Sequence, residues 1–473
     1  MRLNTTLFVT AAAALLLFTV ATIGQAASEE GLTLAESIRI AHEQHPTMAQ
    51  AAASLEAARS EVKSARSNFL PVGSFSGYYT RLDHDRFQEM KMDFGAGEET
   101  VRVPSMQKYQ YSLGVQVTQP LFVGGSVYYN HELSRGNFEV AQQDLNATSQ
   151  DVAISVAEAY YAILQIEKLL DVARKTEEAM AAHRKTASDF YSAGVVAKVD
   201  LLQAEVRLAE AQQDVIKAEN SLDTAKSAFN NALGREISTP VRLSGAHLVL
   251  PGDMTLDGCM AQALHNRPEL AAIRKAVEVS QSSEKLARSS FFPQVSAVYD
   301  HTYAKKSLSW DTDESWSVSL VAAWDFWEWG KQKYDLDAAK AQTNAATQQA
   351  RYLEEAVLLE VKQSYLSVEQ AKKLISVTER AIEQAEENVR MSKERYAQNI
   401  VTITEVLDAE VLLAHARLNY YYALYGYDLS VAHLLRAIGQ KIEDEAPGGE
   451  ASEERALLTD AEESERTKPV IDN

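Results

Sequence analysis

A chain of 473 residues has room for several domains of ~100–200 residues each. With 46% hydrophobic and 24% charged residues, 20 Gly and 10 Pro, its composition is not that of a disordered protein. The 66 acidic residues outnumber the 46 basic ones for a formal charge of −20, which argues against a nucleic-acid partner, because neutralising phosphates needs clustered Lys and Arg. One cysteine, Cys259, excludes an intrachain disulfide, an all-cysteine zinc site and a thiolate-held iron–sulfur cluster.

The first residues read as an address. Arg2, an apolar run through residues 7–21 and Gly24-Gln25-Ala26 predict a secretory signal peptide over residues 1–26. A retained membrane anchor is the competing reading, but the run is short for a spanning helix of ~20 residues. No cysteine lies nearby to carry a lipid, and no later uncharged stretch is long enough to span. An exported chain of this kind crosses a membrane, if at all, with strands.

The remainder is one pattern written twice, residues 27–234 and 255–439, joined by a linker at 235–254 and followed by an acidic tail at 440–473. Residues 34–81 align with 256–303 at a shift of 222, so that Ala65-Arg66-Ser67-Asn68-Phe69-Leu70-Pro71 falls on Ala287-Arg288-Ser289-Ser290-Phe291-Phe292-Pro293. Farther along the shift becomes 205, with Gly125 on Gly330, Tyr160 on Tyr365, Tyr191 on Tyr396 and Gly234 on Gly439. The first copy therefore holds 17 extra residues within about 82–108, read as a long loop at 83–104. Each copy opens with a helix, 33–68 and 255–290, that stops at a proline.

Two strands follow in each copy, predicted at about 72–82 and 109–119, then at 294–304 and 315–325. Tyr111, Leu113 and Val115 alternate with Ser112, Gly114 and Gln116, and Trp316, Val318 and Leu320 alternate with Ser317 and Ser319. Alternation with aromatics at the ends fits a transmembrane β-barrel, which would turn those six residues to lipid. A soluble sheet with one buried face would alternate in the same way. The long helical runs beyond carry a heptad seam, Val152, Val156, Ala159, Ile163, Ile166 and Leu170, repeated as Val357, Val361, Ser364, Val368, Ala371 and Ile375. The proline-free run over 125–194 would span ~100 Å, so the helices are rods. Four strands cannot close a barrel, since the smallest have about eight, so several copies must share one, joined end to end with a helical tube.

The ordered repeat, the junction Gln119-Pro120-Leu121-Phe122-Val123-Gly124-Gly125, its counterpart Asp325-Phe326-Trp327-Glu328-Trp329-Gly330 and the two interhelical turns resemble the TolC outer-membrane efflux family over about residues 32–439. The resemblance implies a mainly α fold with membrane β. Three tandem-duplicated protomers would form a 12-strand β-barrel in the outer-membrane lipid of a Gram-negative-type bacterium, continuous with a 12-helix periplasmic α-barrel. It implies a passive homotrimeric exit duct for efflux or type I secretion, joined to an inner-membrane pump by a periplasmic adaptor, with no cofactor, no metal and no enzyme activity. A periplasmic coiled-coil adaptor or structural protein without channel activity is the alternative, which the duplicated strand pairs argue against.

The interhelical turns carry the candidate site. Gly194 and Asn399 are the residue types that best accept a left-handed backbone at a helix end. With Val195 and Ile400 they form tip turns expected to face the adaptor. Asp200 and Glu405 begin the returning helices, where a carboxylate favours the dipole, so helix initiation alone would account for both. The resemblance adds that Glu405 and Asp408, on one helix face, match the acidic positions of the closed periplasmic entrance. It also implies that Asp200 and Tyr396 belong to a latch between helices. Val401 stands where the family has a latch arginine, which points to Lys198 or Arg395 as substitutes. His42 and His45 share a spacing suited to one helix face, but their repeat positions are Leu264 and Arg267, and they read as solvated polar residues. Zinc-protease, phosphate-loop and serine-nucleophile motifs are absent.

Overall fold

A computed structural model describes residues 31–442 except 94, 96, 107, 246, 249, 251–253, 306–312 and 399. The expected signal peptide, the tail beyond Ile442 and the tip residue Asn399 lie outside the described residues.

Each copy begins with two helices rather than one. In the first copy these are α1 (Leu34–Gln44) and α2 (Pro46–Ser67). Pro46 has no amide to donate and disfavours a helical residue before it, so His45 turns extended, with φ −70° and ψ 128°. The counterparts are α5 (Leu256–Asn266) and α6 (Pro268–Ser289), broken at Arg267 for the same reason. Thr33 caps α1 in a reciprocal box with Glu36. His45 caps α2 by accepting from the Thr47 amide, while His42 Nε2 lies 3.0 Å from the Ser149 carbonyl. The two histidines thus have separate local roles.

The strands of the first copy are β1 (Val72–Arg81), β2 (Arg86–Asp93), β3 (Glu98–Met106) and β4 (Tyr109–Val123). Those of the second are β5 (Gln294–Lys305) and β6 (Asp313–Ala323). One antiparallel sheet runs β1-β4-β5-β6. The extra residues of the first copy are not a plain loop as expected; β2 and β3 pair as a separate hairpin, with Met90 opposite Val101. Thr100 and Val101 are β-branched, and Arg102 Nε donates to Glu89 Oε1 across the pair at 2.9 Å, which favours a strand.

Register sorts the four-stranded sheet into two faces. Phe75, Val115, His301 and Trp316 lie in one row across it, and Val117, Tyr299 and Val318 lie in another row of that face. The opposite face carries the row Ser74, Gln116, Asp300 and Ser317, with Gln116 donating to Asp300 at 2.9 Å. Tyr111, Leu113, Val115, Trp316, Val318 and Leu320 all share the apolar face and are exposed in the single chain.

The rods are α3 (Ser126–Ser192) and α7 (Lys331–Ala397), 67 residues each, returning as α4 (Lys198–Ala232) and α8 (Ile403–Ala437). At 1.5 Å per residue the long pair spans ~100 Å. Val152, Val156, Ile163 and Leu170 of α3, and Val357, Val361, Val368 and Ala371 of α7, are buried along the seam. The largest core lies where both copies meet, built from Leu34, Tyr160, Phe229, Leu270, Leu434 and Ile438 among others. Here Tyr160 donates its hydroxyl to the Ser244 carbonyl, and buried Asp428 accepts from His247 Nδ1 at 2.7 Å and from the Leu248 amide at 3.0 Å. Those bonds pin the linker to the rods. No helix among the described residues is long and apolar enough to cross a membrane.

Candidate functional site

Both rods end in a tight turn about as far from the sheet as the chain extends. At the first, Gly194 takes φ 72° and the amides of Gly194 and Val195 donate back to Tyr191 and Phe190. This left-handed stop satisfies carbonyls that the helix leaves open, and it suits a residue without Cβ. At the second, the Ile400 amide donates to the Arg395 carbonyl at 2.9 Å. Val195 and Ile400 project into solvent as exposed apolar residues. Asp200 and Glu405 fall in the first turns of α4 and α8, where each complements the helix dipole.

The acidic pair is not bare. Arg395 Nη1 donates to Glu405 Oε1 at 2.7 Å, so the proposed substitute latch residue binds within its own hairpin. Asp408 Oδ1 accepts from Arg207 Nη2 at 3.2 Å, which ties α8 to α4 of the other hairpin. Thr404 Oγ1 adds a second tie by donating to Gln203 Oε1 at 2.8 Å. Val401, which the resemblance places where a latch arginine was expected, packs against an apolar cluster of Met180, Ala211, Tyr396, Ile403, Val406 and Leu407. An apolar cluster and the Arg207–Asp408 tie thus lie beside the turn where a charged latch was expected.

Tyr396 sits in that cluster with its ring 5.8 Å from Phe190. Its hydroxyl is buried without a hydrogen-bond partner among the described residues. Burial, and secondarily the charge of Asp200, holds its ionisation above the ordinary phenol range. Two turns toward the sheet, Glu410 Oε1 accepts from Lys393 Nζ at 2.7 Å and lies 3.1 Å from His183 Nε2. Burial pushes the Glu410 carboxyl up, but these bonds outweigh it and hold the group below the ordinary value. Glu410 thereby joins α7 and α8 to α3.

Arg207, Gln203, His183 and Lys393 were not found from the sequence. Arg207 follows Asp200 by seven residues, hence on the same helix face, and that spacing was the available signal. Self-comparison hid it, because its repeat position is Leu412.

The chain matches the family described as Outer membrane efflux protein over residues 37–235 and 259–440. The chain belongs to this family. It is 23% identical over 419 residues to the outer membrane protein TolC of Vibrio cholerae, covering 86% of this chain and 90% of that one. It is 24% identical over 334 residues to the alkaline protease secretion protein AprF of Pseudomonas aeruginosa, covering 68% of each. The fold superposes on the CmeC outer membrane channel of Campylobacter jejuni with a TM-score of 0.74 at 14% identity, covering 92% of this chain and 90% of that one.

Membership decides the strand question in favour of the barrel and against the periplasmic adaptor. The four-stranded sheet is one third of a 12-strand barrel, and the rods contribute to a 12-helix tube. The protein is an outer-membrane exit duct of an efflux or secretion system with a large periplasmic part, from a family of channel proteins that act with adaptors and inner-membrane pumps. In such barrels the apolar face of the sheet is the one expected to meet lipid.

Proposed function

We propose that the tips of three protomers close the periplasmic mouth of this duct, and that Glu405 and Asp408 of each line the constriction. The observation that carries this reading is the Arg207–Asp408 bond, which links the two hairpins of one protomer beside those carboxylates. Six carboxylates around one opening favour cations, tempered by the arginine that each one pairs with. Opening is a shift between two arrangements of the hairpins, biased by an adaptor that engages the turns at Gly194, Val195 and Ile400. Asp200 and Tyr396 belong to the latch through the buried hydroxyl, which a swing of α7 would expose. Energy for transport comes from the partner pump, and the duct is passive.

Single-channel conductance in planar bilayers tests the gate. The protein as it exists should give small, cation-selective currents, and Glu405→Ala with Asp408→Ala should give larger, less selective ones. Currents unchanged in the double variant would remove these residues from the gate, and large, unselective currents from the parent trimer would remove the closed-mouth reading.

A further inference from the structure

The two ends of the four-stranded sheet differ in chemistry. At the end that joins the rods, residues 72–76, 117–123, 294–298 and 318–324 contain no Lys or Arg, and Trp324, Phe326, Trp327 and Trp329 are exposed there. At the far end the apolar face changes character. Tyr79, Tyr111 and Tyr303 lie on it, with the rings of Tyr79 and Tyr111 5.0 Å apart. Arg81 stands opposite Tyr109 in the last pair of the β1–β4 ladder, and Lys305 is opposite Tyr111 in the next ladder.

Two cations converge on one ring at this end. The Arg81 guanidinium carbon is 5.9 Å from the centre of the Tyr109 ring, and Lys108 Nζ is 5.8 Å from it. Cation–π attraction holds each charge near the ring without neutralising it. Neither side chain forms an ion pair among the described residues. The acids nearby are engaged elsewhere: Asp83 accepts from the His84 amide at 2.9 Å, Asp85 from the Lys108 amide, and Glu314 lies 3.0 Å from His301 Nε2. Two like charges gathered at one ring, with no carboxylate between them, favour an anion from outside the chain.

Height along the sheet says which anion. From Tyr109 to Gln119, β4 rises ~25 Å at ~3.3 Å per residue and a tilt of ~40°, the height of the apolar band of such barrels. Gln119 shares a row with Ala297 and Leu320, close to Trp324. Tyr109 therefore stands one apolar band away from the tryptophans, at the headgroups of the leaflet farther from the rods.

We infer that Arg81 and Lys108 hold the phosphate of an outer-leaflet lipid, with Tyr109 positioning both cations. This rests on the reading that the apolar face meets lipid. Arg81 offers a planar fork that pairs two phosphate oxygens, and Lys108 adds a compact point charge. The patch is continuous with the apolar face, so the acyl chains of a lipid held there run past Leu113, Val115 and Phe75, all exposed in the single chain. A free anion would use the cations alone, whereas a lipid uses the cations and the face below them.

Lipid titration of the full-length protein in micelles tests the site, with bound lipid counted by native mass spectrometry. The probes are lipid A, a diglucosamine lipid carrying phosphates, and the same lipid without phosphate. The parent should prefer lipid A at least about tenfold, and Arg81→Gln with Lys108→Gln should remove most of that preference. Tyr109→Leu should weaken it severalfold while Tyr109→Phe keeps it. Lys331→Gln, at the rod end, should leave it unchanged. The five tryptophans all fall within residues 310–329, so lipids with brominated acyl chains should quench the fluorescence of parent and variants alike when the sheet is in lipid. Equal preference in parent and double variant, or none in the parent, overturns the phosphate site. Displacement of lipid A by equimolar inorganic phosphate also overturns it and assigns the cations to a free anion. An unquenched parent overturns the lipid-facing reading instead, which separates the two failures.

Discussion

At the tip, side chains far apart in sequence hold two hairpins together. Arg207 is 39% exposed and Asp408 61%, so their bond contributes only about 0.2–1 kcal/mol to stability. In the proposed gate its effect falls on the balance between closed and open tips: Arg207→Ala should raise mean conductance in planar bilayers while the melting temperature stays within a few degrees of the parent. Glu410 is different, being buried and bound from two helices. Its carboxyl is held below the ordinary value of 4.5, so the stability it contributes is present above that value and lost as pH falls through its lower folded one. Glu410→Gln should cost about 1–3 kcal/mol near pH 7. It should also flatten the fall in melting temperature between pH 5 and 3, as followed by circular dichroism. An acid melting profile identical to that of the parent would show that Glu410 does not carry this dependence.

Among the elements, the β2–β3 hairpin is the clearest departure from the repeat. It pairs only within itself, while the second copy passes from β5 to β6 without it. The barrel sheet should therefore not need it. Replacing residues 83–107 with a short turn should leave a trimer on native gels with conductance close to that of the parent, since the proposed constriction lies at the other end of the rods. Loss of the trimer would mean that the hairpin braces neighbouring copies. The helix breaks at His45 and Arg267 follow from the prolines after them, and both were within reach of the sequence. The hairpin was harder to read, because charged residues interrupt its alternation.

As a whole molecule, the protein joins a wall in lipid to a tube in water, and one chain supplies a third of each. Its apolar sheet face carries Trp316, Val318 and Leu320, and turning that face to lipid requires the barrel to close around a polar lumen. Cell fractionation should place the protein in the outer membrane. Leu320→Arg should reduce the inserted fraction severalfold, at a cost of ~2–4 kcal/mol if it lies near the bilayer midplane. Equal insertion of that variant would put Leu320 off the lipid face.

The sequence by itself determined the duplication, the two-residue period of the barrel strands, the heptad seam of the rods and the position of the turns. These are local or periodic properties, written by every residue along a face and legible without knowing what that face touches. Glu405, Asp408, Asp200 and Tyr396 were legible as candidates because each stands at a fixed place in a turn. Only the tertiary structure decided their partners. Arg207 and Asp408 are separated by 201 residues, and so are Gln203 and Thr404. His183 and Glu410 are separated by 227. No periodicity connects such pairs. They meet because two hairpins of equal length, folded from two copies of one pattern, lie side by side and bring their tips to one level.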